Sequence, residues 1–157
     1  MSDSTLIVTF MVSDSRYGVP LSQVRELLRL ATVTRLPVGS PVIEGIVNVR
    51  GQVVPVLDVR KRFRLPENDP HPSQHLIVAQ AGSRLVALRV DRVLDIDEAD
   101  PEDIEEAAAI TPRAEYVSGV AKLPDGMVLI HDPATFLHHS EGLELDAALD
   151  ASSTAHA

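Results

Sequence analysis

The chain has 157 residues, 45% of them hydrophobic, which is enough for a real core; aromatics are only 3%, so that core must be built from Val, Leu, Ile and Ala. A formal net charge of −9 leaves too few cations to displace counterions from phosphate. Nucleic acid is therefore not an expected partner, nor is an anionic membrane surface. Cysteine is absent, which excludes disulfides, thiolate metal sites and cysteine nucleophiles.

The opening MSDSTLIVTFMVSDSRYG lacks a basic start, and its apolar run breaks at Ser13. Neither a signal peptide nor a membrane span is expected there, and a cytoplasmic location is. Leu6–Val12 and Arg16–Val19 flank the turn residues Ser13-Asp14-Ser15 and predict a hairpin, stopped by Pro20. Leu21, Val24, Leu27, Leu28 and Leu30 have partly helical spacing, so a short helix or a helix-to-strand transition follows. Ser40-Pro41 resembles an N-cap opening one short turn. Gly45–Val49 and Val53–Leu57 form a second hairpin around Arg50-Gly51-Gln52; Pro55 places its strand at an edge or bends it. Leu65–Ser73, with three prolines, reads as a linker. A third hairpin turns at Gly82-Ser83. Asp91–Glu106, with nine acids and one Arg, reads as a solvated loop. A fourth hairpin joins Tyr116–Leu123 to Met127–His131 through Pro124-Asp125-Gly126. Pro133–Leu137 opens a short helix, and Leu143, Leu145, Ala147, Ala148 and Leu149 suggest a C-terminal helix over roughly 141–150.

The chain repeats itself. Glu44–Asp58 lies over Ser118–Asp132, and Leu6–Val24 lies over Leu76–Val93 with one residue lost at the turn. This predicts one unit over 1–157 with an internal repeat at about 6–63 and 76–137. Each half reads hairpin, connector, hairpin. A sheet that short must curl or pack on a copy of itself, so two small barrels packed together are the natural architecture.

Catalytic signatures are missing. His71 and His75 are spaced i, i+4, but the flanking prolines argue against a helix, and no third ligand is evident. His138-His139 points in unknown directions. In Asp95–Glu106, Pro101 replaces the mid-loop Gly that a calcium loop needs. No nucleophile elbow, phosphate loop or dinucleotide fingerprint occurs. No catalytic residue, cofactor or metal is expected.

Two stretches carry a resemblance. RYGVPLSQVREL (Arg16–Leu27) and VTRLPVGSPVIEGIVNVRGQVVPVLDVRKRF (Val33–Phe63) resemble signatures of the CheW family, and weaker similarity continues through LIVAQAGSRLVALRVDRV and EYVSGVAKLPDGMVLIHD. The resemblance covers roughly Leu6–Leu149. It implies an all-β fold of two five-stranded β-barrels that exchange strands, with short helices and a C-terminal helix. It further implies a non-catalytic, cytoplasmic adaptor between the tip of a chemoreceptor and the regulatory domain of a CheA-type histidine kinase, monomeric or weakly self-associating. The alternative is a scaffold or sequestering protein outside signalling arrays.

Six residues are candidates for partner binding. Arg50, at a strand end before a turn glycine, can present its planar fork to a carboxylate or carbonyl, or make a local salt bridge; the resemblance favours the partner. Asn48 leaves the face of Val47 and Val49 and either meets a partner or hydrogen-bonds a turn. Glu26 either contacts a partner or pairs with Arg25 or Arg29. Gly45 and Gly51 serve backbone geometry. Val24, Leu27 and Leu28 read as core, but Val24 matches the family's signature valine and is carried over to the receptor groove. Ala87 stands where the family often has Gly, and its methyl is expected to tighten the groove between barrels.

Overall fold

The computed structural model describes residues 4–29, 33–36, 39–63, 65, 74–106, 117–124, 126–137 and 139–155. The elements are β1 (Thr5–Val12), β2 (Ser15–Pro20), a 3₁₀ turn at Leu21–Gln23, β3 (Val24–Arg29), β4 (Ile43–Val49), β5 (Gln52–Asp58), α1 (Val59–Arg62), β6 (His75–Ala81), β7 (Arg84–Val90), β8 (Arg92–Ala99), a 3₁₀ turn at Pro101–Asp103, β9 (Ile104–Glu106), β10 (Val117–Leu123), β11 (Gly126–His131), a 3₁₀ turn at Pro133–Phe136 and α2 (His139–Ala155). The readings of His71, His138, Tyr116, Asp125 and the linker over 66–73 fall outside the described residues.

Two sheets form, ordered β8-β1-β2-β11-β10-β9 and β3-β6-β7-β5-β4. Each takes one hairpin from the opposite half of the chain: β1–β2 joins β8–β11, and β6–β7 joins β3–β5. Connection lengths account for the exchange. β3 is antiparallel to β6 and so runs parallel to β7. If β1–β2 took the place of β6–β7, β2 and β3 would be parallel, and their connection would have to recross a strand of about 20 Å. Leu21–Gln23 at about 3.5 Å per residue falls short of that. The β7–β8 connection is Asp91 alone.

Both sheets curl toward closure. Thr34 and Ile46 exchange hydrogen bonds of 2.9 and 2.7 Å, joining the segment after β3 to β4. β9, which continues β8 beyond the Pro101–Asp103 turn, pairs with β10. The six-strand sheet therefore counts one interrupted edge strand twice. Glycine is required at these closures: a Cβ on Gly45 would overlap the Thr34 carbonyl, and one on Gly119 would sit 3.0 Å from the Glu105 carbonyl. The Thr34 bonds also explain Pro55. Ile46 turns its polar groups toward Thr34, so the Pro55 nitrogen opposite it faces away from β4. There β5 meets β7 only from Val56 onward, and no donor is needed. β5 is thus interior to its sheet rather than an edge.

Strand alternation builds three apolar clusters. Ile7, Ala99, Ala121, Val128 and Ile130 fill the first barrel. Leu76, Val78, Val54, Val56 and Ala87 belong to the filling of the second. Between the barrels lies the largest cluster, with Val8, Phe10, Ile77, Leu88, Phe136 and Leu145. Tyr17, Phe63, His131 and Phe136 stack there with ring centroids 4.9–5.7 Å apart.

Several expectations change. Of the two readings of the stretch from Leu21, the helix-to-strand transition holds, a 3₁₀ turn at Leu21–Gln23 running into β3 because β6 offers a ladder; Leu27, expected in the core, is exposed. The acid-rich stretch is no loop: β8 pairs along β1. The Ala87 methyl enters the second barrel's interior instead of a groove between barrels. The two leading hairpins match without a dropped residue: Thr9 faces Gly18 as Val78 faces Ala87, and both have two-residue turns.

Candidate functional site

The β4–β5 turn is a two-residue loop, Val49 opposite Gln52, with φ +52° at Arg50 and +84° at Gly51. Such primed turns follow the strand twist and need positive φ at both central positions. Glycine supplies this freely, but arginine does so under strain. The Asn48 side chain stabilises the loop, its Oδ1 accepting the Gly51 N–H at 2.8 Å. Arg50 then reaches across the barrel closure to β3, where Nε donates to Glu26 Oε2 at 3.1 Å and Nη2 to Oε1 at 3.2 Å. The hydrogen bond to Glu26, and then its charge, raise the guanidinium's pKa above its ordinary value. Arg50 remains 82% exposed, while Glu26 is only 25% exposed. The carboxylate is a seat, and the arginine is offered to solvent.

Four of the six candidates therefore converge: Arg50, Asn48, Gly51 and Glu26. Glu26 pairs with Arg50 and not with Arg25 or Arg29. Gly45 lies mid-strand, where its role is the close approach to Thr34. Val24 is half-buried against the cluster between the barrels, and a bulge separates it from Glu26. Val53, opposite Asn48 on β5, is an exposed apolar side chain beside the turn. It lines a crevice of about 330 Å³ with Pro55, Leu85, Leu149, Gln52, Ser83 and Arg84. A guanidinium edge beside apolar relief suits a protein surface bearing a carboxylate or carbonyl. Among the described residues, no three metal-ligating side chains cluster, and no helix is long and apolar enough to cross a membrane.

The residue patterns did not disclose the ionic lattice at the other end of β4 and β5. Arg89 on β7 lies 3.1 Å from Glu44 and 2.9 Å from Asp58. Arg60 donates to both Asp91 oxygens, at 2.9 and 2.6 Å. Burial raises the Glu44 pKa; Arg89 opposes this and Asp58 adds to it. These partners are remote in sequence. The one local sign is Asp58, which caps α1 by accepting the Lys61 N–H at 3.3 Å.

Comparison with known proteins follows the same lines. The profile of the CheW-like domain family matches residues 6–141. The chemotaxis protein CheW of Klebsiella aerogenes is 30% identical over 134 residues, covering 84% of this chain and 81% of that protein. Protein FrzA of Myxococcus xanthus is 37% identical over 87 residues, 55% of this chain and 54% of FrzA. The crystal structure of the scaffolding protein TtCheW from Thermoanaerobacter tengcongensis superposes with a TM-score of 0.82 at 27% identity, covering 90% of this chain and 96% of that one.

Proposed function

The chain belongs to the CheW-like domain family, and on that premise we propose that it is a non-catalytic adaptor coupling chemoreceptors to a CheA-type histidine kinase. The observation that carries this reading is the family match over residues 6–141, joined to a fold that superposes along 90% of the chain on a scaffolding protein of the same family. Work of this kind needs surfaces held in a fixed relation, and the shared cluster between the barrels supplies that rigidity. Arg50, seated by Glu26 on a turn braced by Asn48 and Gly51, is the side chain assigned to a partner; Val24 is assigned to the receptor groove, and Gly45 permits the close approach of Thr34 at the barrel closure. The partners are the regulatory domain of the kinase and the cytoplasmic tip of a receptor, met in the cytoplasm at receptor arrays.

The test is binding of the purified protein to the regulatory domain of a CheA-type kinase from its own genome and to a receptor-tip fragment. Micromolar or tighter binding to both is the expected result. Binding to neither leaves a scaffold of the same fold with another ligand.

A further inference from the structure

At equivalent buried and half-buried positions the two barrels carry opposite chemistry. In the first, Thr9 on β1 donates through Oγ1 to Asp97 Oδ2 at 2.8 Å, and Arg16 Nη2 on β2 lies 3.6 Å from the same oxygen of this β8 carboxylate, the Arg16 and Asp97 side chains being 20% and 28% exposed. Strand register identifies their counterparts. Thr9 faces Gly18 as Val78 faces Ala87; Arg16 faces Met11 as Leu85 faces Gln80; Asp97 faces Ile7 as Leu28 faces Leu76. Thus Thr9, Arg16 and Asp97 stand where the second barrel has Val78, Leu85 and Leu28, which all belong to or pack against its apolar filling. Each barrel is assembled from both halves of the chain, so the two sets act as matched keys.

Short connections fix the exchange within one chain but place no limit on pairing between chains, and we infer that these triads guard against domain-swapped assembly with a second copy of this chain. A swap that paired like halves would lay β1–β2 of one copy against β3–β5 of another. Arg16 would then face Leu28 with no Asp97, and Glu26, the acid on that strand, already holds Arg50. The reciprocal swap would set Asp97 against Val78 and Leu85 with neither Thr9 nor Arg16 beside it. A half-buried charge that loses its partners among apolar side chains is disfavoured. Closely similar hairpins on short connections are a setting in which swapping is otherwise cheap.

The chain contains no cysteine, so paired cysteines report topology cleanly. Leu6 and Glu98 are opposed in the native fold, as are His75 and Arg29. L6C/E98C therefore reports the native arrangement, and L6C/R29C between copies reports the like-half swap. Each pair is placed in the parent, in T9V/R16L/D97L, and in the reciprocal L28D/V78T/L85R, and refolded from denaturant. The parent should give only the L6C/E98C linkage as monomer. Either keyless variant should elute with a dimer fraction that L6C/R29C captures as covalent dimer. The inference is overturned if the variants refold as monomers without that linkage, if the parent itself forms it, or if neither variant refolds, since the sets would then not be interchangeable.

Discussion

Arg50 occupies the left-handed region at φ +52°, where Asn or Gly would fit the turn better. A side chain kept at such a position against local preference points to a use outside the fold. Arg50→Asn is therefore expected to leave the thermal midpoint unchanged or higher while weakening partner binding at least tenfold; calorimetry and titration of the two partners read both halves of that statement. Asn48, which could equally have met a partner, serves the turn by accepting the Gly51 N–H. Two carboxylates on the opposite rim answer pH in opposite senses. Burial would raise the Asp91 pKa, but hydrogen bonds from Arg60 and the Ser13 N–H, with the charges of Arg60 and Arg89, lower it overall. Its stabilisation is present above the ordinary value of 3.8 and is lost as pH falls through the lowered folded value. For Glu44, raised from 4.5 mainly by burial, ionisation opposes folding as pH rises past that ordinary value. Glu44→Gln should thus raise the thermal midpoint at neutral pH and have no such effect below 4.5, whereas Asp91→Asn should lower it at neutral pH; melting curves across pH decide both.

At the scale of elements, α2 is held by the buried Arg62–Glu141 ion pair, a more exposed pair between Arg84 of β7 and Asp146 at 2.7 Å, and a narrow apolar contact. Arg62 on α1 donates through Nε to the Phe136 carbonyl at 2.9 Å and through Nη2 to Glu141, which also accepts the Ser40 hydroxyl. Leu145 is fully buried and Leu143 is exposed, so little more than one face of the helix is engaged. Glu141→Ala leaves Arg62 charged in a dry site and should cost about 3–5 kcal/mol, read by urea unfolding. Replacing both partners with apolar residues, as in R62M/E141L, should recover most of that loss, because no uncompensated charge remains.

At the scale of the molecule, neither half owns a complete barrel. Residues 1–65 lack β6–β7, and residues 74–157 lack β1–β2. Expressed separately, each piece exposes a barrel interior and half of the cluster between the barrels, so neither should fold. Mixed, they should regain the β-rich circular dichroism of the intact chain. Independent folding of either piece would contradict the obligatory exchange argued from the short connections.

The hairpins were legible in the sequence because their signals are local: alternating apolar runs, and turn residues at Ser13-Asp14, Arg50-Gly51 and Gly82-Ser83. The all-β class, the near-repetition of the halves and the family resemblance follow from the same short-range patterns; Arg50 as a partner residue was carried by the resemblance, since its strand-end position alone fitted a local salt bridge as well. What lies far apart in the chain was decided only by the tertiary structure. β3 was legible only as one of two alternatives and β8 read as a loop, because their pairing partners, β6 and β1, are supplied by the opposite half and leave no mark in the local spacing. The seating of Arg50 on Glu26, the ionic lattice around Arg89 and the Thr9–Arg16–Asp97 group of the first barrel depend equally on contacts that close long loops. Pattern reveals which face of a strand is apolar; only the closed barrels determine what that face, and each charge beside it, comes to meet.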